Sequence, residues 1–279
     1  MLYLQRAATP PLDAFIASIW YCESEPRPHA LERVLPNGAA QLIVNLKEDR
    51  TRVYRPESGT SRETTSSGAV LSGVQSRYCV IDTAEQESVL GVVFRPGGAI
   101  PFFRMPAHET RDAHVPLDVF WGRRAAALRD QLMDTPNPNA KLDTMERALR
   151  EIFRPSTVHP AVACALDEFA HRPHAANVSA VTSMTGLSPK RFIERFKAAV
   201  GVAPKQYCRI LRFQQALAHA ENGRRVDWTR IAMDSGYFDQ AHFIHDFRSF
   251  AGLTPTGYQA DRTQFRNHVK FLQSDAVSA

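Results

Sequence analysis

The stretch Gly186–Tyr258 decides the reading of this chain, because it writes one pattern twice: GLSPKRFIERFKAAVGVAPKQY over 186–207 and GYFDQAHFIHDFRSFAGLTPTGY over 236–258. Phe192, Phe196, Gly201, Pro204 and Tyr207 recur 51 residues later as Phe243, Phe247, Gly252, Pro255 and Tyr258. Upstream of each copy a short apolar segment ends in glycine, Ala180-Val181 to Gly186 and Ile231-Ala232 to Gly236. A helix, a glycine turn and a second helix, present twice, fit this pattern.

The residue choices follow from what such a unit needs. Gly186 and Gly236 sit where the first helix must stop and the chain reverse, a left-handed position that costs glycine nothing. The second helix then needs a cap, supplied by Ser188 with Pro189 behind it in one copy and by Asp239 in the other. Phenylalanines four apart share one face, which turns the residues between them outward. In the first copy these are Lys190, Arg191, Glu194, Arg195 and Lys197; in the second, Gln240, Ala241, His242, Ile244, His245 and Arg248. A lone charge run of the first kind is ordinarily a solvated face. The repeat shifts the balance towards a DNA major groove, because few residues of the second copy are the long charged ones that solubility selects. Ile193 and Ile244 hold the same place in each copy, and a core role there competes with contact to a thymine methyl.

Taken in order, Gly186-Leu187-Ser188, Phe192-x3-Phe196-Lys197, Gly201-x2-Pro204, Arg209-x2-Arg212, Ile231-Ala232-x3-Gly236-Tyr237, Phe243-x3-Phe247 and Gly252-x-Thr254-Pro255-x2-Tyr258 resemble the DNA-binding domain of the AraC/XylS family of bacterial transcription regulators. The resemblance covers roughly the last 120 residues. It implies seven helices, two recognition helices in successive major grooves, and a long joining helix from about Lys205 to Ala220. It places the base readers at Lys190, Ile193 and Glu194 and at Ala241, Ile244 and His245, with Arg191, Gln240 and His242 beside them. Ser188, Arg195, Lys197 and Arg248 are the phosphate candidates. One departure stands out: Val181-Thr182 replaces the family's usual leucine and alanine.

Composition agrees with two parts. The chain has 279 residues, enough for two cores. Residues 1–155 hold 19 basic and 19 acidic side chains and residues 156–279 hold 15 and 10, so the net charge of +5 lies in the C-terminal part. A basic half suits phosphate contact. No run reaches the length of a membrane span, and Met1-Leu2-Tyr3-Leu4-Gln5-Arg6 lacks the form of a secretion signal, so no membrane partner and a cytoplasmic, nucleoid-associated place are expected. Cys22, Cys79, Cys164 and Cys208 are scattered without a CxxC pair, the pattern of buried free thiols.

In the N-terminal half, Phe15 to Cys22, Gln41 to Leu46, Val70 to Val74, Tyr78 to Asp82 and Val89 to Phe94 read as strands, with Leu35-Pro36-Asn37-Gly38 a turn. Glu57 to Gly68, rich in serine, threonine and glycine, reads as an exposed loop. Short strands between turns indicate an antiparallel sheet or small barrel. Arg95-Pro96-Gly97-Gly98 is a tight turn into a helix, with an anion-binding turn as the rival reading. His108, Glu109, Asp112 and His114 lack metal-ligand spacing, so no metal and no cofactor are expected. From Leu117 the apolar period becomes helical, through Trp121, Ala125, Leu128 and Leu132, and again through Leu142, Met145, Leu149 and Ile152. This hairpin either covers the sheet or forms a subunit interface.

The expected fold is therefore α+β: an N-terminal β-rich effector or dimerisation domain over residues 1–154 with a helix hairpin at 117–153, a linker at 155–160, the DNA-binding domain at 161–262 and a tail at 263–279. The tail, with Phe265, Val269, Phe271 and Leu272, reads as a further helix with a frayed end. Leu35-Pro36-Asn37-Gly38, Phe94-Arg95-Pro96-Gly97-Gly98 and Trp121-Gly122 resemble the N-terminal domain of one branch of the AraC family, which implies a cupin-like sensor or dimeriser but names no ligand. Beyond double-stranded DNA, the resemblance implies a small-molecule effector, a second copy in a homodimer and, for an activator, RNA polymerase. Two alternatives stay open: a domain that only dimerises, and a DNA-repair enzyme fused to a regulator. The second needs a cysteine cluster or an activated thiol, for which Cys22 and Cys79 have no neighbours in sequence, so no enzymatic activity is expected.

Overall fold

The computed structural model describes residues 1–57, 60–171, 178–222 and 226–271. In chain order the strands are β1 (Leu2–Arg6), β2 (Ile16–Glu23), β3 (Leu31–Val34), β4 (Gln41–Asn45), β5 (Thr51–Glu57), β6 (Thr60–Ser66), β7 (Ala69–Ser72), β8 (Cys79–Asp82), β9 (Ser88–Phe94), β10 (His114–Pro116) and β11 (His268–Lys270). They form two antiparallel sheets, one ordered β1-β2-β9-β4-β7-β10 and the other β11-β3-β8-β5-β6.

Period-two alternation gives the first sheet two different faces. Ile19, Tyr21, Leu42, Val44, Ala69, Leu71, Leu90 and Val92 look one way, into a core completed by Leu128, Leu132, Leu142, Met145 and Leu149. Those five come from α3 (Arg123–Asp134) and α4 (Pro138–Ile152), which follow the short helices α1 (Ile100–Phe103) and α2 (Asp118–Trp121). The hairpin stripe thus covers the sheet. Asn137 starts α4 by accepting from the backbone N–H of Asn139 at 2.8 Å. The intervening residues Trp20, Gln41, Ile43, Val70, Ser72 and Val93 look the other way, towards the second sheet.

Among the described residues the C-terminal half shows seven helices, the number expected: α5 (Pro160–His171), α6 (Val178–Met184), α7 (Pro189–Val200), α8 (Pro204–Asn222), α9 (Trp228–Asp234), α10 (Gln240–Ala251) and α11 (Pro255–Asp261). Its two hairpins join different cores. Phe192 and Phe196 pack with Phe169 and Tyr207 in the cluster that contains the first sheet. Phe243 and Phe247 pack with Phe213, Phe250 and Tyr258 in a cluster that includes Leu35, Tyr78 and Val80 of the N-terminal half. Each buried phenylalanine contributes about 1.5–3 kcal/mol.

Residues 73–78, between β7 and β8, run along the seam. Val74 lies against Gly201 at the end of α7, where an added Cβ would stand 3.3 Å from it. Gln206 Nε2 donates to the Ser76 carbonyl at 3.3 Å, and the Tyr78 N–H donates to the Phe250 carbonyl at 2.9 Å. The Tyr78 ring occupies the place a side chain at Gly252 would need.

Three expectations are corrected. Residues 57–68 are not a loop throughout: Thr60–Ser66 is β6, paired to β5 from Thr51↔Ser66 to Glu57↔Thr60. Being an edge strand it needs no large apolar residues, and its threonines favour extended backbone. The tail forms no helix over its described part. It forms β11, which pairs with β3 as His268↔Val34, Val269↔Arg33 and Lys270↔Glu32, with Val269 buried; Leu272 and the end of the tail lie outside the described residues. Cys22, Cys79 and Cys208 are buried but Cys164 is exposed, on the outer side of α5.

Candidate DNA-binding surface and effector cavity

Each helix pair is built as its sequence requires. In the first, α6 stops before Gly186 at φ +67°, and Ser188 Oγ caps α7 by accepting from the Arg191 N–H at 3.4 Å. In the second, Gly236 has φ +76° and Asp239 Oδ1 accepts from the His242 N–H at 2.7 Å. Both glycines hold the left-handed turn that a side chain would strain.

The candidate readers divide by exposure. Ser188, Lys190, Arg191, Glu194 and Arg195 are exposed, Ile193 is 38% exposed, and Lys197 is half-buried. Gln240, Ala241, His245 and Arg248 are exposed; His242 and Ile244 are half-buried, and Ile244 packs against the second core. His242, its side chain 41% exposed, stands edge-on to Tyr237 with Nε2 3.8 Å from Asp246 Oδ2. Asp246 is buried and takes Arg209 of α8 in a fork, with Nη2 at 2.7 Å from Oδ1 and Nε at 3.2 Å from both oxygens. That pair fixes α10 on the joining helix. Neither outer face is sealed inside the protein.

Sequence reasoning passed over three exposed apolar side chains beside these faces: Met184 at 72%, Met233 at 70% and Phe238 at 92%. Phe238 was findable, since it follows Gly236-Tyr237 and falls outside the Phe243-Phe247 stripe.

The other N-terminal candidates are occupied locally. Asp112 accepts from the Ser76 N–H at 2.6 Å and from Ser76 Oγ at 2.7 Å. In the Arg95–Gly98 turn, the Arg95 N–H and Nε donate to the Phe15 and Asp13 carbonyls, and the Gly98 N–H donates to the Arg95 carbonyl at 2.7 Å. This is a tight strand-to-helix turn.

A cavity of about 400 Å³ lies between the facing sheets, within the range of small-molecule sites. Strand register orders its first wall. Val93, Gln41, Ser72 and His114 are cross-strand neighbours in one row, and Trp20, Gly91, Ile43 and Val70 make the next. The Trp20 indole lies across Gly91, where a Cβ would collide with it. Burial, helped by the nearby Arg55 guanidinium, pushes His114 down to about 4, so its imidazole is neutral at pH 7. Burial pushes the Cys79 thiol, also in the wall, up to about 11. Residues Gln264–His268 border the cavity as well, brought there by β11.

Residues 181–261 match the model of a helix-turn-helix domain, and residues 5–116 match that of a domain of unknown function (DUF6597). No curated protein matches the chain. Among solved structures it is similar to ToxT from Vibrio cholerae at 8% identity, covering 92% of this chain and 98% of that one with a TM-score of 0.48. It is also similar to wild-type ToxT from Vibrio cholerae strain SCE256 with unsaturated fatty acid bound, at 10% identity, 92% and 94% coverage and a TM-score of 0.46. The AraC-like transcriptional activator CuxR is similar at 10% identity, 78% and 88% coverage and a TM-score of 0.25. No described helix is long and apolar enough to cross a membrane. What the duplicated spacing first implied therefore holds in its domain order: a helix-turn-helix domain over residues 181–261 lies behind a domain of unknown function over residues 5–116.

Proposed function

We propose that this regulator binds DNA sequence-specifically by laying α7 and α10 into successive major grooves, about one helical turn (~34 Å) apart. Lys190, Ile193 and Glu194, with Ala241, Ile244 and His245, meet base edges, flanked by Arg191, Gln240 and His242. Ser188, Arg195, Lys197 and Arg248 meet phosphates. The observation that carries this reading is the pair of capped, outward faces at equivalent places in the two copies. The N-terminal half acts as the sensor, and the cavity between its sheets takes a small-molecule effector. That cavity favours sensing over dimerisation alone, since a domain that only dimerises needs no such space.

Selection of bound fragments from random DNA followed by gel shifts tests the reading. Lys190→Ala and His245→Ala should each relax preference at one position, at about 1–3 kcal/mol of lost discrimination. Arg195→Ala and Lys197→Ala should weaken all sequences alike. An unchanged preferred site in the first two variants overturns the assignment of readers.

A further inference from the structure

The two rows of the cavity wall differ in chemistry. Gln41, Ser72 and His114 offer an amide, a hydroxyl and an imidazole; Trp20, Ile43 and Val70 offer hydrocarbon and an indole face. The rows lie two residues apart along each strand, about 7 Å. A molecule seated on this wall meets hydrogen-bonding groups at one end and an apolar surface over the rest. All three members of the polar row are uncharged at pH 7, and a neutral imidazole both donates and accepts.

The charged side chains of the wall already have partners within the chain. Arg27 pairs with the buried Glu32, Glu85 accepts from Arg52 Nε at 2.8 Å, and Arg266 Nε donates to Glu221 at 2.6 Å. A ligand carboxylate or ammonium would enter without a free counter-charge, which a desolvated site penalises heavily.

One side of the cavity is closed by the tail, whose residues Gln264–His268 line it. The Phe265 ring packs on Tyr3 with centroids 5.7 Å apart, under the Arg27 guanidinium. His268 Nδ1 lies 2.8 Å from Glu32 Oε2, and the Leu35 N–H donates to the Asn267 carbonyl at 2.9 Å. On its other side the same segment is held by the DNA-binding half: Gln214 Nε2 donates to Asn267 Oδ1 at 2.9 Å, and Tyr258 Oη to the Arg266 carbonyl at 3.0 Å.

We propose that the cavity takes an uncharged molecule with an apolar body and a hydrogen-bonding head, and that Gln264–His268 is the strap it must pass. The proposal rests on the effector reading of the cavity and adds the ligand's class and its gate. Because the strap continues from α11 and is tied to α8, ligand entry reaches the second helix pair through these two flanking helices.

The test uses the full chain and the neutral fluorophore N-phenyl-1-naphthylamine at pH 7.5, displaced by either 1-naphthol or 1-naphthoate. Naphthol should displace it at a concentration at least about tenfold lower than naphthoate, the penalty for an unpaired buried charge. Equal displacement overturns the uncharged class. Ser72→Ala combined with Gln41→Leu should weaken naphthol while leaving the fluorophore bound. For the gate, Val34→Cys with His268→Cys joins β11 to β3 when oxidised, these being directly paired residues. Oxidation should slow fluorophore association about tenfold against the reduced form, and Phe265→Gly should speed it; rates equal in all three forms overturn the strap. Absence of fluorophore binding in the parent and in Phe265→Gly, matched by Ile43→Trp, removes the effector cavity itself. That outcome is distinct from binding that ignores charge or strap.

Discussion

The two helix pairs share a spacing and differ in almost everything that spacing does not fix. The face of α7 carries Lys190, Arg191 and Arg195, its cap is a serine at 3.4 Å, and its phenylalanines belong to the core of the large sheet. The face of α10 carries Gln240, Ala241 and His245, its cap is an aspartate at 2.7 Å, and a buried carboxylate locks it to α8. Duplication thus preserves the scaffold, while charge and anchoring diverge. The first face carries the greater positive charge; the second is locked to α8 and sits closer to the tail that borders the cavity.

The strongest way to break this comparison is Asp246→Ala. Leaving Arg209 partly buried without its partner should destabilise the chain by about 3–5 kcal/mol, whereas Arg209→Met with Asp246→Leu should recover most of it. Denaturant unfolding of the three proteins measures both; a cost below about 1 kcal/mol for the single change would make the anchor an ordinary surface pair.

Acid comes next. Burial alone would raise Glu32, but His268, Arg27 and His29 outweigh it and hold its carboxyl down to about 2, against the ordinary 4.5. A depressed carboxyl contributes stability that is full above pH 4.5 and is lost as pH falls from there towards 2. The contribution is on the order of 3 kcal/mol at ~1.4 kcal/mol per unit. Unfolding followed between pH 6 and pH 2 should show this loss in the parent and a flatter profile in Glu32→Gln; parallel profiles would remove the carboxylate from the account. Smallest is the difference in caps. Asp239→Ala should cost about 1–2 kcal/mol and Ser188→Ala about 0.5 kcal/mol, and a reversed order in thermal melts would undo the ranking of the two hairpins.

The parts legible in the sequence were those that large apolar residues mark. The duplicated phenylalanines, the stripe from Leu117 to Ile152 and the strands Gln41–Asn45 and Ser88–Phe94 announced themselves by period. What stayed hidden was short, polar or paired at a distance. β3 carries Glu32 and Arg33 at its centre, an unpromising strand, yet both are buried because the tail brings His268 and the Lys270 carbonyl to them from 236 and 237 residues away. The polar row of the cavity was equally invisible, since Gln41, Ser72 and His114 become neighbours only through register. The prolines at 155 and 160 fall between α4 and α5, but they leave no gap in packing: both helix pairs share side chains with the sheets.

The six residues from Gly73 to Tyr78 touch the far ends of both α7 and α10, through Val74 and Tyr78, and steady α8 between them through Ser76. They span the two helix pairs like a calliper. Under the proposed reading, in which α7 and α10 meet successive grooves, a shift of this one β-half segment would change the separation of the two helices and so the spacing of DNA sites that fits them.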